Sequence, residues 1–370
     1  MGIFSVISLL GGLSIFLYGM DIMGDGLKSS SSKALKSMLE KVTHSAVLGM
    51  LTGTLVTSVI QSSTATIVLT VGLLSAGILN LRQSISIVMG ANIGTTVTAQ
   101  IIRLMDINSS GAAFIEIFKP STLAPLAVLC GIIFLKFVKS QKTKGIGMML
   151  MGFGILFTGL MGMTEAVSPL SESQAFTDVL QKFSDVPILG ILTGLITTFI
   201  VQSSSAVIGM VQALSSTGAF TFQTVYPLII GINLGTCITT AIVCSIGTDK
   251  DAKRTGIAHI LFNCIGTVLF MAAIPLLHHA GALNFIWGKP MNSGGIANFT
   301  TIFNLVTAVA LLPFTNQLVK LTTLIVKDSP DDTEDFYPEM RTLDEKLFIS
   351  PALALHQVNI AEASMGRLAR

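Results

Sequence analysis

The stretch "VIQSSTATIV", residues 59–68, sets four hydrogen-bonding side chains in succession inside an apolar run. A close copy, "IVQSSSAVIG", returns at residues 200–209. In hydrocarbon each such group costs free energy unless a partner satisfies it. A cost met twice in the same pattern points to a built polar site.

The surrounding chain is greasy. Of 370 residues, 51% are hydrophobic and 11% charged, whereas soluble domains carry about 25% charged residues. The chain therefore reads as an integral membrane protein. With a net charge of +2 and no basic block, nucleic acid is excluded as a partner. The opening "MGIFSVISLLGGLSIFLYGM" lacks a basic start and a small-residue cleavage site, so it reads as a retained first helix. Cys130, Cys237, Cys244 and Cys264 sit in apolar segments without CxxC spacing. They read as small buried hydrophobes, with neither disulfide nor metal site.

Aligning Gln61 with Gln202, an offset of 141, matches residues 48–100 to 189–241 without a gap, at 19 of 53 positions. The identities gather in "LTGxxxT", in "QSS" and in "GxNxGT", while apolar positions drift. Chance similarity between membrane helices would favour Leu and Val matches instead. Duplication biased towards polar and glycine positions suggests two copies building one site.

Length sets the shape of each copy. The arms 48–60 and 65–77 hold 13 residues each, roughly 20 Å as helix, against a bilayer core of about 30 Å. Neither arm can cross. The run 46–79 reads as a re-entrant hairpin with "QSST" at its tip, and 187–219 as its counterpart with "QSSS"; one kinked, tilted span is the alternative. Behind each comes a spanning segment, 84–104 and 224–246, interrupted by "GANIGT" and "GINLGT". Gly flanking Asn, then Thr, predicts an unwound turn and a fresh helix start in each. Five further spans read at about 3–23, 121–138, 145–163, 256–279 and 298–319.

Repeat 1 (1–140) then holds three crossings and a hairpin, and an odd number of crossings inverts repeat 2 (141–327). Charge agrees. Lys136, Lys139, Lys142 and Lys144 mark the loop between the halves as cytoplasmic, and the loops with Lys28, Lys33, Lys36, Lys41, Lys250, Lys253 and Arg254 fall on the same face. The N-terminus is placed outside, the C-terminus inside. Hairpin one enters from the cytoplasm and hairpin two from outside. The fold class is an all-α polytopic membrane protein of two inverted repeats, each with a re-entrant hairpin and a discontinuous transmembrane helix.

A helix start carries about half a positive charge and free N–H groups, so it attracts anions without a basic side chain. Four such starts are expected to converge: after Gln61–Thr64, after Asn92–Thr96, after Gln202–Ser205 and after Asn233–Thr236. Their donors suit a tetrahedral oxyanion. Carbonyls at opposing helix ends, with Ser, Thr and Asn oxygens, suit Na⁺. Arg82 and Arg103 sit only at segment ends, so a bound anion needs co-bound cations, which is the logic of symport. His259 is weighed evenly between a functional and a structural role. For Asn263 and Asn304, both preceded by Phe, hydrogen-bonded glue between helices is favoured over binding. Asp21 reads as a cap or interfacial residue near the inner end of the first helix. The glycines of "GGLSIFLYG" and "GIGMMLMGFG" read as close-packing positions.

Two "QSSS"-type motifs in inverted repeats, each followed by "GxNxGT", resemble the type II sodium-phosphate cotransporter family in its bacterial branch, over about residues 1–320. The resemblance implies sodium-coupled symport of inorganic phosphate by alternating access, in the bacterial inner membrane, with Na⁺ as coupling ion and no other cofactor. It implies elevator motion, with rocking left open, and leaves a homodimer open. Onto this sequence it carries phosphate contacts at Gln61, Ser62, Ser63, Thr64, Gln202, Ser203, Ser204 and Ser205. Sodium contacts follow at Ser63, Thr64, Asn92, Thr95, Ser204, Ser205, Asn233 and Thr236, with His259, Asn263 and Asn304 as additional candidates. Departures are Thr64 in the first motif, Cys237 where the first copy has Thr96, and Thr300 where relatives suggest His. After an acidic linker from 328, residues 347–370 resemble the first helix of a PhoU-like domain, read as truncated or docked on a partner.

An anion channel and a sodium-coupled carrier of another oxyanion or a dicarboxylate are the alternatives; a phosphate sensor acting through the tail is a further one. An intramembrane serine hydrolase would need a base beside the nucleophile. There is no GxSxG, and His259 is the sole intramembrane candidate. The chain does not read as an enzyme.

Overall fold

The computed structural model describes residues 3–40, 45–75, 77–106, 119–138, 140–245 and 250–327. Among them the regular elements are all helices, and one isolated bridge joins Thr221 to Pro290. The helices are α1 Ile3–Glu40, α2 Ala46–Ile60, α3 Ser63–Ser75, α4 Leu81–Ile102, α5 Pro120–Phe137, α6 Gln141–Val167, α7 Gln174–Asp185, α8 Pro187–Val201, α9 Ser204–Ser215, α10 Phe222–Ser245, α11 Lys250–His279, α12 Ser293–Leu311 and α13 Thr315–Ile325. The PhoU-like segment lies outside the described residues.

Seven segments are long and apolar enough to cross a membrane, and they fall where the seven spans were read: 3–31, 81–106, 120–137, 142–170, 222–245, 250–279 and 293–325. Their outer faces stay apolar, with Leu276 69% and Val268 69% exposed, as a bilayer-embedded surface requires. The protein is an all-α polytopic membrane protein. The apolar window of α4 is 72% buried against 22% for α1 and α5, so α4 is a central post and α1 and α5 are peripheral. Cys130 and Cys264 are exposed, contrary to the expected burial, whereas Cys237 and Cys244 are buried. A thiol is apolar enough for either setting.

Two glycine patterns hold the helices together. Gly12, Gly19 and Gly26 of α1 recur every seven residues, and so do Gly145, Gly152 and Gly159 of α6. A Cβ at Gly12 would lie 2.8 Å from Met163 N, and one at Gly19 or Gly26 would strike the backbone of Leu156 or Met149. The two helices run antiparallel with their backbones almost touching. A seven-residue repeat keeps that seam aligned along a left-handed pair.

The second pattern overturns an expectation. Neither α4 nor α10 is broken: each runs as continuous helix through its "GxNxGT" segment. A Cβ at Gly90 would collide with Met50 O, and one at Gly94 would lie 2.6 Å from Thr54 O. At Gly231 it would collide with Ile191 O, and at Gly235 it would lie 2.6 Å from Thr198 Cβ. These glycines let the first arm of each hairpin, α2 or α8, press on the following helix. Residues 141 apart make the same contact in both copies. The two helix starts expected after Asn92 and Asn233 therefore do not exist.

Candidate functional site

The hairpin arms have 15 and 13 residues in the first copy and 15 and 12 in the second. At 1.5 Å per residue the longest spans about 22 Å, short of a bilayer core. In the first copy the Thr57 hydroxyl donates to Thr66 Oγ1 at 3.0 Å, so the chain doubles back at the tip.

Gln61 (φ 60°) and Gln202 (φ 57°) are the two non-glycine residues with positive φ among the described residues. A left-handed turn after a helix is ordinarily filled by Gly or Asn, and for other L-residues it costs about 1–2 kcal/mol. Strain of this kind recurs here at equivalent positions, 141 residues apart. The Gln61 side chain is engaged on both sides: Nε2 donates to Ser58 O at 2.5 Å, and Oε1 accepts from Thr98 Oγ1 at 2.6 Å. Gln202 is exposed.

The next residue caps the second arm. Ser62 Oγ accepts from Ala65 N at 3.2 Å, and Ser203 Oγ from Ala206 N at 3.3 Å. Helix starts are thus present after both "QSS" motifs, at Ser63 and Ser204. The hydroxyls of Ser63, Thr64, Ser204 and Ser205, in the first turns, make no hydrogen bond among the described residues. Each tip therefore offers a helix N-terminus, a capping serine and two spare hydroxyls. That set can hold an oxyanion through N–H and O–H donors, or a hard cation through hydroxyl oxygens.

The copies differ at one clamp. Thr66 has Val207 as its counterpart, so Thr198, the counterpart of Thr57, is buried with its hydroxyl unpartnered.

The "GxNxGT" residues have other employment. Asn92 Nδ2 donates to Val88 O at 3.0 Å, which fixes the amide with its oxygen outward. That oxygen accepts from Asn263 Nδ2 at 3.4 Å and lies 3.1 Å from His259 Nε2. Asn233 repeats the arrangement: Nδ2 donates to Ile229 O at 2.9 Å, and Oδ1 accepts from Asn304 Nδ2 at 3.3 Å. Asn263 and Asn304 are glue, tying α11 to α4 and α12 to α10. Thr95 and Thr236 bond back to Ala91 O and Ile232 O, one turn earlier. Thr300 does likewise to Ile296 O. His259 is fully buried in this seam. Asn92→Leu, which strips the acceptor from His259 and Asn263, is expected to lower stability by about 1–2 kcal/mol. SDS unfolding in mixed micelles measures it; an unchanged transition would mean the seam carries no energy.

Two residues of the site region, Thr98 and Gln212, escaped the sequence reading, and a third, Asp21, was placed differently. Thr98 recurs as Thr239 in the repeat, and that identity was the available signal. Gln212, also buried, donates from Nε2 to Ala99 O, Ser293 O and Ser293 Oγ at 2.9–3.1 Å, tying the second hairpin to α4 and α12. Asp21 is neither a cap nor a helix end, because α1 continues to Glu40. It lines a cavity of about 270 Å³ with Gln61 and Ser62. A larger hollow of about 650 Å³ between α8, α10 and α11 is lined mainly by apolar residues and includes no tip residue.

Polar hairpin tips on an all-helical multi-pass scaffold define a membrane transporter. The chain belongs to the Na⁺/Pi-cotransporter family, whose model matches residues 15–165 and 163–308; this is a family of transporters. It is 29% identical over 312 residues to the uncharacterized protein YqeW of Bacillus subtilis, covering 84% of this chain and 95% of that one. To YjbB of Escherichia coli O157:H7, whose name proposes inorganic phosphate export, it is 24% identical over 352 residues, 95% of this chain and 61% of YjbB. The chain thus spans about three fifths of that relative. The human sodium-dependent phosphate transport protein 2B is 34% identical over 108 residues, 29% of this chain and 16% of that protein. No solved structure matches.

Proposed function

We propose that this protein is a secondary active transporter coupling the sodium gradient to movement of inorganic phosphate. The observation that carries the reading is the pair of left-handed glutamine turns, each opening a helix with spare hydroxyls. Phosphate contacts are assigned to Gln61, Ser62, Ser63 and Thr64 and to Gln202, Ser203, Ser204 and Ser205. Sodium contacts are assigned to the hydroxyls of Ser63, Thr64, Ser204 and Ser205, with Thr95 and Thr236 behind them. Asn92 and Asn233 act as braces, since their oxygens already accept hydrogen bonds. Sodium coupling is supported by the family and by the name of the human relative. The name of YjbB speaks for outward movement, and symport permits either direction according to the gradients. The charge pattern supports a bacterial plasma membrane with the N-terminus outside, hairpin one reached from the cytoplasm and hairpin two from outside.

The test is uptake of radiolabelled phosphate into proteoliposomes. Ser62→Ala and Ser203→Ala are each expected to cut the sodium-dependent component about tenfold, the effect of losing one charge-assisted hydrogen bond of roughly 1.5 kcal/mol. Unchanged uptake in both would remove the tips from the site. Counterflow with arsenate, sulfate and dicarboxylates separates phosphate from other anions. Non-saturating flux without sodium would make the protein a channel.

A further inference from the structure

Neither hairpin unit carries a carboxylate: residues 46–102 and 187–245 contain no Asp or Glu. A sodium ion held there by neutral oxygens alone would face the desolvation cost of a full charge with only partial charges to offset it. A formal negative charge reaches the first tip from another element. The cavity between α1 and tip one is lined by Asp21, Asp25 and Lys28 on one side and by Ile60, Gln61 and Ser62 on the other. Asp21, Asp25 and Lys28, spaced at four and three residues, share one face of α1. Lys28 Nζ pairs with Asp25 Oδ1 at 3.1 Å. Asp21 makes no ion pair or hydrogen bond among the described residues.

The backbone opposite Asp21 adds to the same field. Ile60 ends α2, and a helix C-terminus carries about half a negative charge. The Asp21 carboxylate and a helix C-terminus thus face one small cavity, and Lys28, the cation in its lining, is paired with Asp25. The α3 N-terminus, with the opposite sign, begins one turn further on at Ser63. At about 270 Å³ the cavity has room for an ion and several waters, each water taking about 30 Å³. Gly24 keeps the wall open, since a Cβ there would lie 3.5 Å from Ile60 O and 3.6 Å from Gln61 Cβ.

We infer that Asp21 anchors a sodium ion in this cavity, on the α2 side of the tip. This rests on the sodium-coupled reading above and assigns a ligand to it from outside the repeats. Oxygen ligands for the ion come from the Asp21 carboxylate and the carbonyl of Ile60, completed by water.

The experiment measures phosphate uptake by proteoliposomes of the full chain against Na⁺ concentration, with K⁺ as the control, and binding of radiolabelled Na⁺ to the purified protein. Asp21→Asn is expected to raise the sodium concentration for half-maximal uptake at least about tenfold and to remove one bound Na⁺ per chain. Asp21→Glu should recover part of that shift. Gly24→Leu, which fills the cavity and leaves the carboxylate in place, should reproduce the loss if Asp21→Asn fails to fold. Wild-type sodium affinity and stoichiometry in Asp21→Asn, or in Gly24→Leu when the first is unfolded, would overturn the site. A wild-type protein that binds no Na⁺ and transports equally in K⁺ would instead overturn the sodium-coupled reading itself.

Discussion

Gln61→Gly is expected to leave the first hairpin folded and to abolish sodium-driven phosphate uptake. Glycine adopts the left-handed turn at no steric cost, so the backbone at φ 60° is kept. The substitution removes only the amide, which accepts from Thr98 and donates to Ser58 O. Gln61→Ala loses the amide as well and retains the strain of about 1–2 kcal/mol, so it should be the less stable of the two. Thermal stability and uptake, measured on both variants, separate conformation from chemistry. If Gln61→Gly transported like the wild type, the glutamine would be a turn residue with no ligand to hold.

The second large effect concerns the fold. Gly90→Leu and Gly231→Leu should each prevent accumulation of monodisperse protein. The obstacles at these positions are the main-chain carbonyls of Met50 and Ile191, which cannot swing aside as a side chain can. The hairpin arm must lift off the central helix, and overpacking even by the single methyl of Ala costs about 1–3 kcal/mol. Gly11→Ala is the control, because nothing lies within 4 Å of a Cβ there. Size-exclusion profiles in detergent report the outcome. Wild-type behaviour of Gly90→Ala would show that the helices are not locked at this contact.

Much of the architecture could be read from lengths alone. Thirteen-residue arms cannot cross 30 Å of hydrocarbon, and helices of 15, 13, 15 and 12 residues stand where that arithmetic placed the arms. The "GxNxGT" segments were misread because a glycine pair signals either an unwound turn or a close helix contact. Deciding between them needs the partner backbone, which lies 40 residues upstream at Met50 and Ile191. The end of α1 was misread for a different reason. Its polar extension "KSSSSKALKSMLE" continues the helix beyond the apolar span, where hydropathy gives no signal. Asp21 thereby moved from a helix end to the wall of a cavity. The left-handed glutamines were not legible, since that conformation is ordinarily announced by Gly or Asn. The capping by Ser62 and Ser203, the first serine of each "QSS", and the hydrogen bonds of Asn263 and Asn304 to neighbouring helices were within reach of composition and spacing. The brace role of Asn92 was not, because its partners on α11 lie 167 and 171 residues away.

The Thr66–Val207 difference makes the two halves mechanically unequal. Parting the arms of the first hairpin breaks a buried hydroxyl pair, Thr57 with Thr66, worth about 1 kcal/mol. Parting the arms of the second breaks none there and releases an orphaned Thr198 hydroxyl to find water. Duplication supplied two similar jaws, and divergence at one position gave them different springs. At this position, then, the second pair of arms is held by one hydrogen bond fewer than the first.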